Sequence, residues 1–218
     1  MGRSRGLSTR QAATKRAIDV LVASIALVVL SPILAVAWVV ATIDTRANGI
    51  FRQTRVGRDG EEFTVYKMRT MREVSGHRST VTTRGDRRIT RSGAVMRSLK
   101  IDELPQLVNV LRGEMSLVGP RPDVPGFADL LEGEDRIVLS VRPGITGPAT
   151  LAYRHEEALL AKSGDSETYN RETIWRDKVR INRAYVEHYS LLADLRCLAA
   201  TVRSVFDKDS ADQEDNPP

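Results

Sequence analysis

Between Asp19 and Asp44 the chain carries no charged side chain. The run Val20 to Ile43 therefore meets the length of a membrane helix, about 20 apolar residues for a ~30 Å hydrocarbon core. Any fold must give it lipid or a large apolar interior. Three uses compete: a cleaved signal peptide, a spanning helix, and a helix that enters the bilayer and turns back. Arg3, Arg5, Arg10, Lys15 and Arg16 precede the run, and Ala35-Val36-Ala37 resembles a cleavage site, as in a signal peptide. The apolar stretch before that site is at the long limit for a signal and continues past it. Ser31-Pro32 falls in the middle of the run. Proline removes a backbone hydrogen bond and crowds the preceding turn, at roughly 3 kcal/mol in a regular helix, so a bend is expected there. Val20 to Leu30 rises roughly 16 Å at about 1.5 Å per residue, half the depth of the hydrocarbon core. Basic residues flank both ends, Lys15 and Arg16 before and Arg46, Arg52, Arg55 and Arg58 after. A single span gathers such residues on its cytoplasmic side, so the flanks favour re-entry with both ends cytoplasmic.

The 218 residues suffice for one compact domain with appendages, which implies one active site. Net charge is +5 overall but unevenly spread. Residues 46–100 hold 14 basic and 5 acidic side chains, while residues 101–218 sum to −7. The middle segment is suited to anions: nucleic acid, lipid head groups or phosphorylated substrates. Cys197 is the only cysteine, which excludes an intramolecular disulfide and a Cys-based zinc site and fits a reducing, cytosolic environment.

Ile50 to Val56 and Glu62 to Met68 are β-prone runs joined by Gly57-Arg58-Asp59-Gly60, a hairpin signal. Ser75 to Gly93 reads as a polar loop. From Ile101 the apolar positions Ile101, Leu104, Leu107, Val108 and Leu111 recur at helical spacing, closed by Arg112-Gly113. Gly119-Pro120-Arg121-Pro122 and Arg142 to Pro148 read as rigid turns of the kind that wall a binding pocket. Asn170 to Tyr189 reads as a charged helix with Ile174, Ile181 and Tyr185 on one face. Leu191 to Phe206 gathers Leu191, Leu192, Leu195, Leu198, Val202 and Phe206 on another, to pack on the core or to lie in a membrane interface. Residues 207–218 read as a disordered polar tail.

Walker A, Gly-x-Gly-x-x-Gly and His-rich metal motifs are absent from the sequence, and His77, His155 and His188 are isolated. Asp207-Lys208-Asp209 mimics the Asp-x-Asp of many glycosyltransferases but lies in the polar tail, where a solvated charge run is the better reading. Asp102-Glu103 follows directly on the basic Arg87, Arg88, Arg91, Arg97 and Lys100. The pair admits two readings. Near a helix start, carboxylates complement the unpaired amides and the dipole. Alternatively one carboxylate attacks phosphorus while the other holds Mg²⁺, with neighbouring cations offsetting the repulsion of a diphosphate.

Five strings occur in order: Phe51-Arg52-Gln53-Thr54-Arg55-Val56-Gly57, Tyr66-Lys67-Met68-Arg69-Thr70-Met71, Asp102-Glu103-Leu104-Pro105-Gln106-Leu107, Met115 to Pro122, and Arg142-Pro143-Gly144-Ile145-Thr146-Gly147. Together they resemble the bacterial sugar transferase family, the monotopic phosphoglycosyl transferases, over about Lys15 to Phe206. The resemblance implies a re-entrant helix broken at Ser31-Pro32. It also implies a covalent mechanism in which Asp102 attacks the β-phosphate of a UDP-sugar, UMP leaves, and polyprenyl (undecaprenyl) phosphate takes up the phosphosugar. Glu103 would hold Mg²⁺, Lys67 and Arg97 would contact phosphate, and Pro120-Arg121-Pro122 would shape the nucleotide site. Two residues depart from the pattern: Lys100 stands where a small hydroxyl residue is expected, and Pro148 where leucine is common. The segment Leu151 to Thr173 is longer and more acidic than in the shortest members, and the short N-terminus implies a small form of the family.

The expected fold class is α+β. A basic tail (residues 1–14) leads to the re-entrant helix (15–45), then to a small mixed catalytic domain with a hairpin and amphipathic interfacial helices (46–206), then to the tail (207–218). The expected setting is the cytoplasmic face of the bacterial plasma membrane, monotopic in the lipid bilayer, with a UDP-sugar donor and a polyprenyl phosphate acceptor. The expected task is the initiating step of glycan or exopolysaccharide assembly; nucleic acid is not an expected partner, and a homodimer is compatible. The competing class is a tethered basic module that binds nucleic acid or anionic lipid through residues 46–100 without catalysis. That class predicts salt-sensitive binding and no use for the carboxylates. The low aromatic content, 5%, and the lack of a nucleic-acid motif count against it. Which sugar is moved is not legible, because selectivity rests on a few pocket contacts.

Overall fold

A computed structural model describes residues 6–73 and 86–206. The tail at 207–218 with Asp207-Lys208-Asp209, the first five residues, His77 and most of the expected 75–93 loop lie outside the described residues.

The apolar run lies inside one helix, α1 (Thr9–Thr45). Ser8 caps it, accepting from Gln11 N while the Gln11 side chain accepts from Ser8 N, which pairs two otherwise orphaned amides. The helix ends at Arg46 with φ 55. Pro32 sits within α1, where helical structure continues on both sides of it, so the proline does not interrupt the helix. Ser31 Oγ donates to Val28 O at 2.8 Å, a local bond that answers the backbone disturbance a proline creates. Towards its start α1 buries Lys15, Asp19 and Ala23, and towards its end Ala37, Ala41 and Thr45. Between these, Ala26, Leu27 and Leu34 still pack on the core, while the opposite face is bare: Val28 is 75% and Val29 65% exposed.

Both ends of α1 are fastened to one globular body. Arg16 donates to Val110 O (2.5 Å) and Leu111 O (3.0 Å), carbonyls in the last turn of α3 (Gln106–Arg112), where a helix has acceptor capacity to spare. Asp19 Oδ1 accepts from Leu117 N at 3.0 Å. Lys15 makes a buried 2.6 Å ion pair with Asp194 of α8 (Leu191–Phe206), which also accepts from Tyr185 Oη at 2.7 Å. At the other end Ala37 and Ala41 pack on Met68 and Met96.

The hairpin forms where its sequence signals it. β1 (Ile50–Val56) and β2 (Glu62–Met68) are antiparallel, from Ile50 opposite Met68 to Val56 opposite Glu62. Asp59 and Gly60 turn the chain with φ 61 and 88, the left-handed region that Gly and Asp tolerate best. Fully buried Asn109 of α3 donates to Thr64 O (2.7 Å) and accepts from Tyr66 N (3.2 Å), pairing backbone groups of β2 that would otherwise lie unbonded against α3.

Besides the break expected at Ser31-Pro32, which the continuous α1 does not show, two further sequence expectations change. The 75–93 loop ends earlier than its composition suggests, because α2 (Arg91–Ser98) begins under a Thr90 cap. Gly93 serves close packing there: a Cβ would stand 2.2 Å from Thr70 O. The stretch from Arg142 contains a strand as well as turns. β3 (Ser116–Val118) and β4 (Gly144–Thr146) pair in parallel, and Cβ atoms on Gly119, Gly144 or Gly147 would collide with backbone at 2.6, 2.1 and 2.2 Å. These glycines are there so that two backbones can meet.

The main core joins Ala23 of α1, Val65 of β2, Leu107 and Val110 of α3, Met115, Leu117 and Val118 around β3, and Tyr185, Val186 and Cys197. α4 (Pro148–Ala152), α5 (Glu156–Lys162) and α6 (Ser166–Tyr169) lead into a π-turn and α7 (Trp175–Glu187). Pro148 occupies the first turn of α4, where a missing amide costs nothing. α8 has the expected ends, but Asp194 and Cys197 are the residues it buries, while Leu191, Leu192, Leu195 and Val202 face outward. The whole is a mixed α+β body with one long apolar N-terminal helix.

Candidate active site

Lys100 at φ 58 turns the chain out of α2, and Ile101–Glu103 form a single 3-10 turn ahead of α3. Asp102 and Glu103 are both buried in this turn, and neither caps α3. A buried carboxylate needs a partner, and the two neighbours differ sharply in that respect. Arg121 forks Glu103, Nη2 to Oε1 at 2.6 Å and Nη1 to Oε2 at 3.3 Å, and Lys67 Nζ stands 3.8 Å from Oε1. Asp102 Oδ1 is buried with no hydrogen-bond partner among the described residues.

The electrostatics follow from this geometry. Burial alone would raise the Glu103 pKa, but Arg121 and Lys67 outweigh it and hold Glu103 well below the usual carboxylate range. The Glu103 charge in turn pushes Arg121 upward. Burial, with Arg121 nearby, brings Lys67 down to about 7. For Asp102 burial and then the Glu103 charge raise the pKa, against the pull of Lys67, Arg97 and Lys100. One carboxylate is thus a fixed anion, and the other is desolvated and unbonded.

These groups line a cleft of about 930 Å³, walled by Lys67 of β2, Arg97 of α2, the Asp102 turn, Pro120 to Asp123 after β3, α4, α5 and α7. Lys67, Arg97, Asp102, Glu103, Pro120, Arg121 and Pro122 therefore all come together, whereas Ser31 and Pro32 lie on α1, outside the cleft lining. Two of them have partners the sequence did not suggest. The Arg121 side chain is committed to Glu103, and Arg97 is paired with Glu157 of α5. Pro122 contributes its carbonyl, which accepts from Arg55 Nη1 at 3.0 Å. Burial and then Arg121 lower Arg55 to about 10.

Sequence reasoning missed the far side of the cleft. Asp123, raised by burial, accepts from Trp175 Nε1 at 3.3 Å. Lys178 pairs with Glu156 at 2.6 Å, and Tyr153 Oη donates to Asp177 at 2.8 Å. Asp123 was within reach, since it directly follows the Pro120-Arg121-Pro122 motif. The others come from segments with no motif and reach the cleft only through the packing of α4 and α5 against α7.

The sequence model described as bacterial sugar transferase matches residues 10–208. The chain belongs to the bacterial sugar transferase family. It is similar to the UDP-glucose:undecaprenyl-phosphate glucose-1-phosphate transferase of Caulobacter vibrioides, 35% identical over 201 residues, covering 90% of this chain and 71% of that protein. It is also similar to the UDP-N-acetylgalactosamine-undecaprenyl-phosphate N-acetylgalactosaminephosphotransferase of Aeromonas hydrophila, 35% identical over 196 residues, 88% of this chain but 43% of that longer protein. A third relative is the exopolysaccharide production protein ExoY of Sinorhizobium fredii, 32% identical over 208 residues, 88% of this chain and 85% of that one.

The donor set of this sugar transferase fits a magnesium ion. Mg²⁺ is usually held by one or two carboxylates, with substrate phosphates and water completing the shell. A carboxylate has about four acceptor positions. Arg121 uses two of those on Glu103 and Lys67 approaches a third, while Asp102 Oδ1 is unbonded. Among the described residues no group of three or more His, Cys, Asp or Glu side chains is placed to hold a metal, so phosphate oxygens would have to complete the shell.

Proposed function

We propose that this sugar transferase moves a sugar 1-phosphate from a UDP-sugar to undecaprenyl phosphate through a covalent intermediate on Asp102, initiating a glycan on its lipid carrier. The observation that carries the reading is the unbonded, buried Asp102 oxygen beside Glu103, which the Arg121 fork holds ionised. The family membership and the names of the relatives support the reaction class.

The donor diphosphate lies under Lys67 and Arg97, and its phosphate takes the place of the Glu157 carboxylate at Arg97. Asp102 Oδ attacks the phosphorus bonded to the sugar, forming an O–P bond while the bond to the UMP oxygen breaks, and UMP departs with the electron pair. The Asp102 carboxylate starts with little solvation to lose, which favours attack. An oxygen of undecaprenyl phosphate then attacks the same phosphorus, forming the lipid diphosphate and returning Asp102 as a carboxylate. When bound at Glu103, Mg²⁺ supplies charge neutralisation of the phosphate oxygens. Arg121 keeps Glu103 ionised and oriented, and Pro120 and Pro122 stiffen the loop beside the nucleotide.

A lipid acceptor and a soluble donor must meet at a bilayer surface. Docking of both ends of α1 on one body, with bare apolar side chains between them, supports a re-entrant, monotopic placement at the cytoplasmic face. The outward Leu191, Leu192, Leu195 and Val202 of α8 suit the interface beside it.

The test is UMP release by the detergent-purified chain with undecaprenyl phosphate, Mg²⁺ and a panel of UDP-sugars. Release from at least one donor, lost in Asp102→Asn and without Mg²⁺, is expected. No release from a folded protein with any donor would overturn the reading.

A further inference from the structure

Four buried side-chain atoms have no hydrogen-bond partner among the described residues: Asp102 Oδ1, Gln106 Nε2, Thr150 Oγ1 and Asn182 Oδ1. Three of the four, on Asp102, Thr150 and Asn182, belong to residues that line the same cleft. Leaving a buried polar atom unbonded costs about 1–3 kcal/mol, and folded proteins keep few of them. Three in one cleft point to a ligand that satisfies them together. Attack on phosphorus accounts for Asp102. It leaves Thr150 and Asn182 unexplained.

Thr150 lies in α4, and Asn182, only 8% exposed, lies on α7 against which α4 packs. Both atoms are neutral oxygens. The one α7 cation that lines the cleft, Lys178, is engaged by Glu156, so no cluster of cations like Lys67, Arg97 and Arg121 lines the cleft beside Asn182 on α7. A neutral amide oxygen accepts from a hydroxyl, and a threonine hydroxyl both donates and accepts. The hydroxyl-rich moiety that any phosphosugar donor brings next to Asp102 is the sugar, bonded to the very phosphorus that Asp102 attacks.

We infer that Thr150 and Asn182 hold hydroxyls of the transferred sugar and so select the donor. The inference rests on the transferase reading for which moiety is bound, but its test need not. A site that hydrogen-bonds a substrate hydroxyl discriminates strongly against a donor whose hydroxyl points elsewhere, because the buried polar atom is then left unpaired again. UDP, which lacks the sugar, is indifferent to both residues.

The experiment uses the full chain in detergent and measures affinity for UDP-glucose, for its epimer UDP-galactose and for UDP alone, alongside UMP release. The variants are Asn182→Ala and Thr150→Val, with Thr150→Ser as the rescue. Each of the first two is expected to weaken the better UDP-sugar by roughly three- to tenfold and to bring the two epimers closer in kcat/KM, with UDP affinity unchanged. Thr150→Ser is expected to restore the wild-type values. Thr150 is partly exposed on a short helix, so Thr150→Val carries the test even if Asn182→Ala does not fold. Unchanged UDP-sugar affinity and an unchanged epimer ratio would overturn the inference, as would a parallel loss of UDP affinity, which would assign the pair to the nucleotide or the fold. If the wild type binds UDP-sugars but releases no UMP, the transferase reading fails and the binding comparison still decides the role of this pair. If it binds no UDP-sugar, both fail.

Discussion

Asp102 and Glu103 are adjacent in the chain and opposite in circumstance. Glu103 has an arginine fork and a lysine, and Asp102 has an unbonded oxygen. The division follows from Arg121, whose planar fork matches one carboxylate in two bonds as lysine cannot. Arg121→Ala leaves Glu103 buried with only Lys67 nearby and is expected to cost about 3 kcal/mol of stability, as for a broken buried pair. Arg121→Lys keeps the charge, loses the fork, and is expected to cost about half as much. Denaturant titration in detergent checks this, and equal losses would contradict the fork argument. Glu157 is the second residue with a testable task. It occupies Arg97, the proposed phosphate contact, and both side chains are partly exposed, so the pair is worth no more than about 1 kcal/mol. Glu157→Gln is therefore expected to lower the KM for the UDP-sugar by about two- to fivefold with little change in kcat. An unchanged KM would mean that Arg97 is not where phosphate binds.

Among the elements, legibility tracked local signals. The hairpin was readable to its strand ends because alternation and a Gly-Arg-Asp-Gly turn act over neighbouring residues, and α8 because its apolar spacing is long. β3 and β4 were not readable as strands. Each is three residues long, and Gly119, Gly144 and Gly147 look like turn residues until the close approach of two backbones explains them. The burial of Asp194 and the exposure of Leu192 and Leu195 on α8 also escaped the sequence, since an apolar stripe does not say whether it meets protein or lipid. The same split applies to the cleft: Asp102, Glu103 and Lys67 sit in motifs and Arg97 in the basic run before Asp102, while Thr150, Glu157 and Asn182 come from tertiary packing alone. α1 carries the prediction at this scale. With Arg10→Cys in its first turn and Arg58→Cys after it, and Cys197 buried, a membrane-impermeant thiol reagent is expected to label both sites from the cytoplasmic side of inverted vesicles and neither from the outside of cells. Labelling from opposite sides would establish a span.

Across the whole molecule, α1 is part of the catalytic body. Its N-terminal end is sewn in by Lys15, Arg16 and Asp19 and its C-terminal end by Ala37 and Ala41, so the placement of the helix fixes the placement of the cleft. The Lys15–Asp194 pair is the buried ion pair among these ties. Lys15→Met leaves the Asp194 carboxylate buried with only the Tyr185 and Tyr189 hydroxyls and is expected to cost about 3–5 kcal/mol, read as a lowered melting temperature in detergent. A loss below about 1 kcal/mol, as for an exposed pair, would mean that the helix is only loosely attached. The proposed two-step transfer through Asp102 can be separated into its steps by withholding the lipid. With UDP-sugar and Mg²⁺ but no undecaprenyl phosphate, the account predicts about one equivalent of UMP per enzyme. It also predicts a mass gain of one sugar phosphate on the peptide that contains Asp102, absent in Asp102→Asn. UMP released only when the lipid is added, with no mass gain before it, would contradict the covalent mechanism.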